Sequence, residues 1–158
     1  MEPVSEWIRW RFPAVRSLGP AALEQRLRGE PERLLLLDVR SAAEYEVSHL
    51  EGAVRIDPDT NDVGTVVQEL GLTGGSEEKE VVCYCTAGYH ASEMAERLVK
   101  ALPPGRGSTR VYSLQGGLVS WANDGKPMVD SGGQTTALVH PYNKVWAQLL
   151  EPQYRAPV

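Results

Sequence analysis

Cysteine is scarce in this chain: Cys83 and Cys85 are the only two among 158 residues. Residues two apart in a strand point the same way, with Cα atoms near the upper limit for a disulfide, so a structural bridge is not expected. Asn-x-Ser/Thr glycan acceptors are missing too. A reducing compartment fits both features, and a cytoplasmic location is the expectation. No apolar stretch approaches the ~18 residues that cross a bilayer, which argues against a transmembrane segment. A secretory signal is not expected either, because Glu2 and Glu6 stand where its basic region belongs. The segment from Glu6 to Pro13 is basic and aromatic, which raises an alternative role in surface anchoring or organelle targeting, mitochondrial included. With acidic residues beside it, a segment folded against the domain is the expectation.

Excess positive charge is also lacking. Sixteen Lys and Arg face 21 Asp and Glu, a formal charge of −5. Phosphate binding relies on a basic face, so nucleic acid is not an expected partner. The 42% hydrophobic and 23% charged content is that of a globular protein, and the length suits a single domain over residues 1–158.

What the chain does have is an alternation of strand and helix signals. Val15–Leu18 reads as a strand, and Pro20 opens a helix through Leu27. Leu34–Val39 is a short continuous apolar run, the mark of a strand covered on both faces. Ala53–Ile56 is a further strand. Val63, Val66, Val67 and Leu70 recur at helical spacing. Gly71 to Glu80 reads as a loop. Val81–Cys85 is the next strand, and a helix follows from about Ala91 to Leu102, with Met94, Ala95, Leu98, Val99 and Leu102 on one face. Pro103 and Pro104 stop it. Val111–Leu114 is the last strand, with Leu118, Trp121 and Ala122 on a short helix after Gly116-Gly117. The pattern predicts an α/β fold: an open, mainly parallel five-stranded sheet with helices on both faces. Near residues 141–150, Tyr142, Val145, Trp146, Leu149 and Leu150 predict a C-terminal helix packed on the domain.

The chemistry concentrates at one strand end. Ligands of open α/β sheets bind beyond the carboxyl ends of the strands, and there Cys85 is followed by Thr86, Ala87, Gly88, Tyr89 and His90. A turn of this kind can curl its N–H groups around the sulfur, and the helix behind adds its positive end. Both effects are expected to hold the thiol below its ordinary pKa. Gly88 suits a turn that needs positive φ. Cys83, inside an apolar strand, is expected to be core. Cys83, Cys85, His49 and His90 match no common structural zinc spacing, so no metal is expected.

In four separated segments the chain resembles the rhodanese-like (thiosulfate sulfurtransferase) domain family, as a single-domain member. These are Asp38-Val-Arg40 with Glu44-Tyr45, His49-Leu-Glu-Gly-Ala53, the six residues Cys85 to His90, and Leu114-Gln-Gly-Gly117 with Trp121 and Gly125-Lys-Pro127. The resemblance covers about residues 14–130, leaving an N-terminal extension of 1–13 and the C-terminal segment. It implies that Cys85 is the catalytic nucleophile and carries a sulfane sulfur as a persulfide, while Thr86 to His90 cradle the anion. It implies a small sulfane-sulfur donor or a persulfidated protein, a thiol or other nucleophile as acceptor, and no cofactor. Asp38 and Arg40 are expected to form an ion pair that fixes the loops, and His49 to anchor a turn. His90 and Thr86 depart from the family, many of whose members carry arginine at the sixth loop position and a basic residue at the second. A histidine does not hold its charge as a guanidinium does, which favours a less charged persulfide donor over thiosulfate. A non-catalytic interaction module is the alternative. A Cys-dependent phosphatase is disfavoured, because related phosphatases use a loop one residue longer.

Overall fold

The computed structural model describes residues 2–29, 34–60, 62–69, 79–101, 109–141 and 144–157. Five strands, β1 (Arg16–Leu18), β2 (Leu34–Asp38), β3 (Val54–Arg55), β4 (Lys79–Tyr84) and β5 (Thr109–Leu114), pair in the order β1-β5-β4-β2-β3. Every pairing is parallel. The central register runs from Leu34↔Glu80 to Asp38↔Tyr84, so the neighbouring ends of β2 and β4 lie level.

Alternation along the strands divides the core in two. Leu36, Val82, Tyr84, Tyr112 and Leu114 face a cluster with Leu23 of α2 (Pro20–Gly29) and with Leu118, Trp121 and Ala122 of α6 (Gly117–Asn123). Leu37, Val81, Cys83 and Val111 face Val63 of α4 (Val63–Glu69) and Ala91, Met94, Ala95 and Leu98 of α5 (Tyr89–Ala101). A strand covered on both sides must be apolar at successive positions, which is why Leu34–Val39 reads as an unbroken run.

Several details depart from the sequence-based expectation. α5 begins at Tyr89, two residues early, so it grows directly out of the loop after Cys85. Val99, expected on its apolar face, is 46% exposed, while Leu98 is fully buried. Leu70, Leu102, the proline pair at 103–104, Tyr142 and most of the 71–80 loop lie outside the described residues. Unanticipated elements among the described residues include α1 (Glu2–Arg11), α3 (Ala42–Val47) and the antiparallel pair β6 (Met128–Val129) with β7 (Thr135–Thr136). The signal for α3 was present, because Ser41 and Glu44 form a capping box in which each satisfies the other's backbone N–H.

The C-terminal helix expected near 141–150 is confined to α7 (Lys144–Ala147) among the described residues. Its predicted stripe is split. Trp146 stays half-buried, while Leu150 enters the core. Asn123 is the physical reason. Its amide donates to the Leu149 carbonyl at 2.9 Å and its oxygen accepts from the Glu151 N–H at 2.9 Å. The chain thereby satisfies its backbone through a side chain and turns away from the helix.

Buried polar groups tie the sheet end together. Tyr84, fully enclosed, donates its hydroxyl to Asp38 Oδ2 at 2.8 Å and accepts from the Leu50 N–H at 3.0 Å. Replacing Tyr84 with Phe strands one buried donor and one carboxylate lone pair. The expected cost is about 1–3 kcal/mol, read as a lower midpoint in urea unfolding with little change in slope.

Candidate active site

Three neighbouring strands deliver the site from their carboxyl ends. β2 is followed by Val39 to Ser41, β3 by the turn holding Pro58 and Asp59, and β4 by Cys85 to His90. Together they line a cavity of about 450 Å³, with Glu44 of α3 and Trp146 of α7 completing the wall. That volume falls within the range of small-molecule sites.

Cys85 sits in this wall, only 3% exposed. Its Sγ accepts the Gly88 N–H at 3.0 Å and the Ala91 N–H at 3.4 Å. The curl needs Gly88, whose φ of 114° is one that side-chain-bearing residues rarely adopt. Burial pushes the Cys85 thiol above its ordinary value. The amides of Ala91, Gly88, Ala87 and His90 pull the other way without overcoming it. The expectation of a depressed thiol is therefore corrected: the sulfur is too deeply desolvated for its donors to win. Cys83 is completely buried and pushed up by the same effect, with the neighbouring Cys85 adding to it.

The loop is held from two further directions. The Leu118 and Val119 amides of α6 donate to the carbonyls of Cys85 and Thr86 at 2.9 and 3.0 Å. Gly117 makes this approach feasible. A Cβ there would lie 2.4 Å from the Cys85 carbonyl oxygen, on a backbone with φ of 56°. Gly117 was read from sequence only as a turn residue, since nothing local reveals what passes beside it. From the other side, Thr86 donates its hydroxyl to Glu44 Oε2 at 3.0 Å, while Glu44 Oε1 receives the Ser41 N–H and hydroxyl.

Asp38 and Arg40 form a forked, fully buried pair, with Nε–Oδ1 and Nη2–Oδ2 both at 2.7 Å. Nη2 also donates to the Ser48 carbonyl, whereas the enclosed Nη1 has no hydrogen-bond partner among the described residues. Burial opposes the Arg40 charge, but the bond to Asp38 and the charges of Asp38, Tyr84 and Glu44 raise its pKa overall. His49 lies apart from this cavity's lining. It stacks on Tyr45 with centroids 3.7 Å apart and shares a ring-nitrogen hydrogen bond with the Tyr45 carbonyl. Its backbone bridges to Val129, which holds the segment leading into the turn at Glu51 and Gly52. Tyr89 and His90 both line the cavity. Tyr89 stacks on Trp7 of α1 at 5.7 Å and meets Phe12 edge-on at 5.3 Å. Asp59 and Trp146 joined the site without warning, because only the closed fold brings them to Cys85.

The comparisons with known proteins agree with this fold. The family model of the rhodanese-like domain matches residues 19–124. A sulfurtransferase from Allochromatium vinosum is 28% identical over 119 residues, covering 75% of this chain and 99% of that protein. A tRNA uridine(34) hydroxylase from Oceanobacillus iheyensis is 35% identical over 96 residues, or 60% of this chain. The aligned part spans only 28% of the hydroxylase's length. Among solved structures, a thiosulfate sulfurtransferase from Pseudomonas aeruginosa superimposes with a TM-score of 0.64. That match is 19% identical and covers 92% of this chain and 26% of that one, a likeness of fold. This chain belongs to the rhodanese-like domain family.

Two outcomes are expected. Because the thiolate is the reactive form and its pKa is raised, alkylation of Cys85 should be slow at neutral pH and climb as pH rises. Its inflection should lie above that of free cysteine measured alongside. A Cys83→Ser background removes the other thiol, and an inflection below free cysteine would contradict the burial argument. Gly117→Ala should destabilise the fold by more than about 2 kcal/mol in denaturant titration, from left-handed strain and the backbone clash together.

Proposed function

We propose that the protein is a sulfurtransferase that moves a sulfane sulfur through a persulfide on Cys85. The observation that carries this reading is the Cys85 sulfur, held by the Gly88 and Ala91 amides in the wall of a cavity large enough for a donor. Membership of the rhodanese-like family and the likeness to a named sulfurtransferase support it.

The chemistry balances without a cofactor. The Cys85 thiolate attacks the outer sulfur of a donor R–S–SH. A new S–S bond forms on Cys85, the donor's S–S bond breaks, and R–S⁻ leaves with the electron pair. The product Cys85–S–SH then gives its outer sulfur to a nucleophile, and Cys85 departs as thiolate. Burial raises the barrier to the first step by disfavouring the thiolate. It opposes the second step as well, because there the same buried sulfur must leave as thiolate. Gly88 and Ala91 steady the sulfur that leaves and returns in each cycle. Thr86 and Glu44 fix the loop, and the Asp38–Arg40 pair fixes the strand end beside it.

A second reading, a non-catalytic interaction module, draws on α1, which leaves Trp7 51% and Trp10 76% exposed. One measurement separates the two. After incubation with a persulfide or thiosulfate, intact-protein mass should rise by one sulfur atom on Cys85. Cys85→Ser should abolish thiocyanate formation from cyanide, while Cys83→Ser should retain most of it. No added sulfur with any donor would leave only the module.

A further inference from the structure

The charge of the cavity bears on which donor it takes, given the sulfurtransferase reading above. Arg40 and His90 are the basic residues in its described lining, and the Arg40 charge is neutralised by Asp38 at 2.7 Å. The Arg40 Nη1, without a hydrogen-bond partner among the described residues, is enclosed. Glu44 lies deep, 4% exposed, with its oxygens turned to Ser41 and Thr86. Asp59 is exposed at the mouth. The carboxylate that faces an incoming donor is therefore Asp59, while Glu44 is taken up by Ser41 and Thr86 and Arg40 is already paired. An inorganic dianion such as thiosulfate meets repulsion here rather than a guanidinium fork.

The aromatic wall points the same way. Trp146 and Tyr89 line the cavity with Pro58, making part of its surface apolar and π-faced. A ring face attracts an ammonium group and offers little to a dianion. Trp146 lies outside the family-matched residues 19–124, so this surface is an addition made by the C-terminal segment.

We infer that the Cys85 cavity selects an organic persulfide carrying an ammonium group, with Asp59 and Trp146 as the residues that recognise the cation. Asp59 supplies opposite charge and Trp146 a π-face, while the apolar wall receives the carbon chain of the thiol. Transfer follows the step already written: the aminothiol leaves as R–S⁻ and the sulfane sulfur stays on Cys85.

The test compares persulfides prepared from cysteamine, which bears an ammonium, and from 3-mercaptopropionate, which bears a carboxylate, with thiosulfate as a third donor. Initial rates of sulfur loading on Cys85 are followed by mass spectrometry. The cysteamine persulfide should load about tenfold faster than the mercaptopropionate persulfide at low salt, from about threefold for each of the two recognition elements. Added salt should compress that ratio. Asp59→Asn and Trp146→Ala should each lower it about threefold, mainly by slowing the cysteamine persulfide. Equal rates for the two persulfides, a faster thiosulfate reaction, or a ratio unmoved by both variants would overturn the inference and leave the Cys85 sulfurtransferase intact. Failure of all three donors to load Cys85 would overturn both.

Discussion

The short loop from Cys85 to His90 depends on being held on every side at once. Its amides converge on one sulfur, its first two carbonyls are taken by the start of α6, and its Thr86 hydroxyl is tied to Glu44. Such convergence needs a backbone that curls at Gly88 and a neighbour without a side chain at Gly117. These glycines, far apart in sequence, serve one loop in two ways: Gly88 supplies the positive φ of the curl, and Gly117 lets main chain approach where a Cβ would clash.

Desolvation is the consequence of that enclosure. A buried thiol is harder to ionise, and four amides reduce the effect without reversing it. The balance separates binding sulfur from activating it. Polar groups nearby are directed at each other rather than at the thiol. Asp38 answers Arg40 and Tyr84, and Glu44 answers Ser41 and Thr86. Networks of this sort give rigidity, although the enclosed Arg40 Nη1 finds no hydrogen-bond partner among the described residues.

The segments outside the family-matched core shape the site's surroundings. α1 lays Ile8 and Phe12 inward and stacks Trp7 on Tyr89, bracing the loop from outside. The C-terminal segment sends Leu150 into the core and Trp146 to the cavity. These contacts give the common core a cavity wall of its own.

Much of this was legible from residue order. Unbroken apolar runs such as Leu34–Val39 announce a sheet covered on both faces, because local pattern and burial obey the same period. Cys85 before a glycine turn announces a cradled sulfur. Asp38-Val-Arg40 announces an ion pair, since its partners are two residues apart on a strand end. Other features depend on distance in space. Whether amides or burial prevail at Cys85 turns on how much atom density surrounds it, which no local motif encodes. Asp59 and Trp146 come to the cavity only because β3 lies beside β2 and Asn123 turns the tail. Sequence determined most of the elements, the candidate cysteine and its loop through short-range periodicity and turn chemistry. Tertiary structure alone decided the thiol's ionisation and the cavity's charge, because both sum contributions from chain segments that meet only on folding.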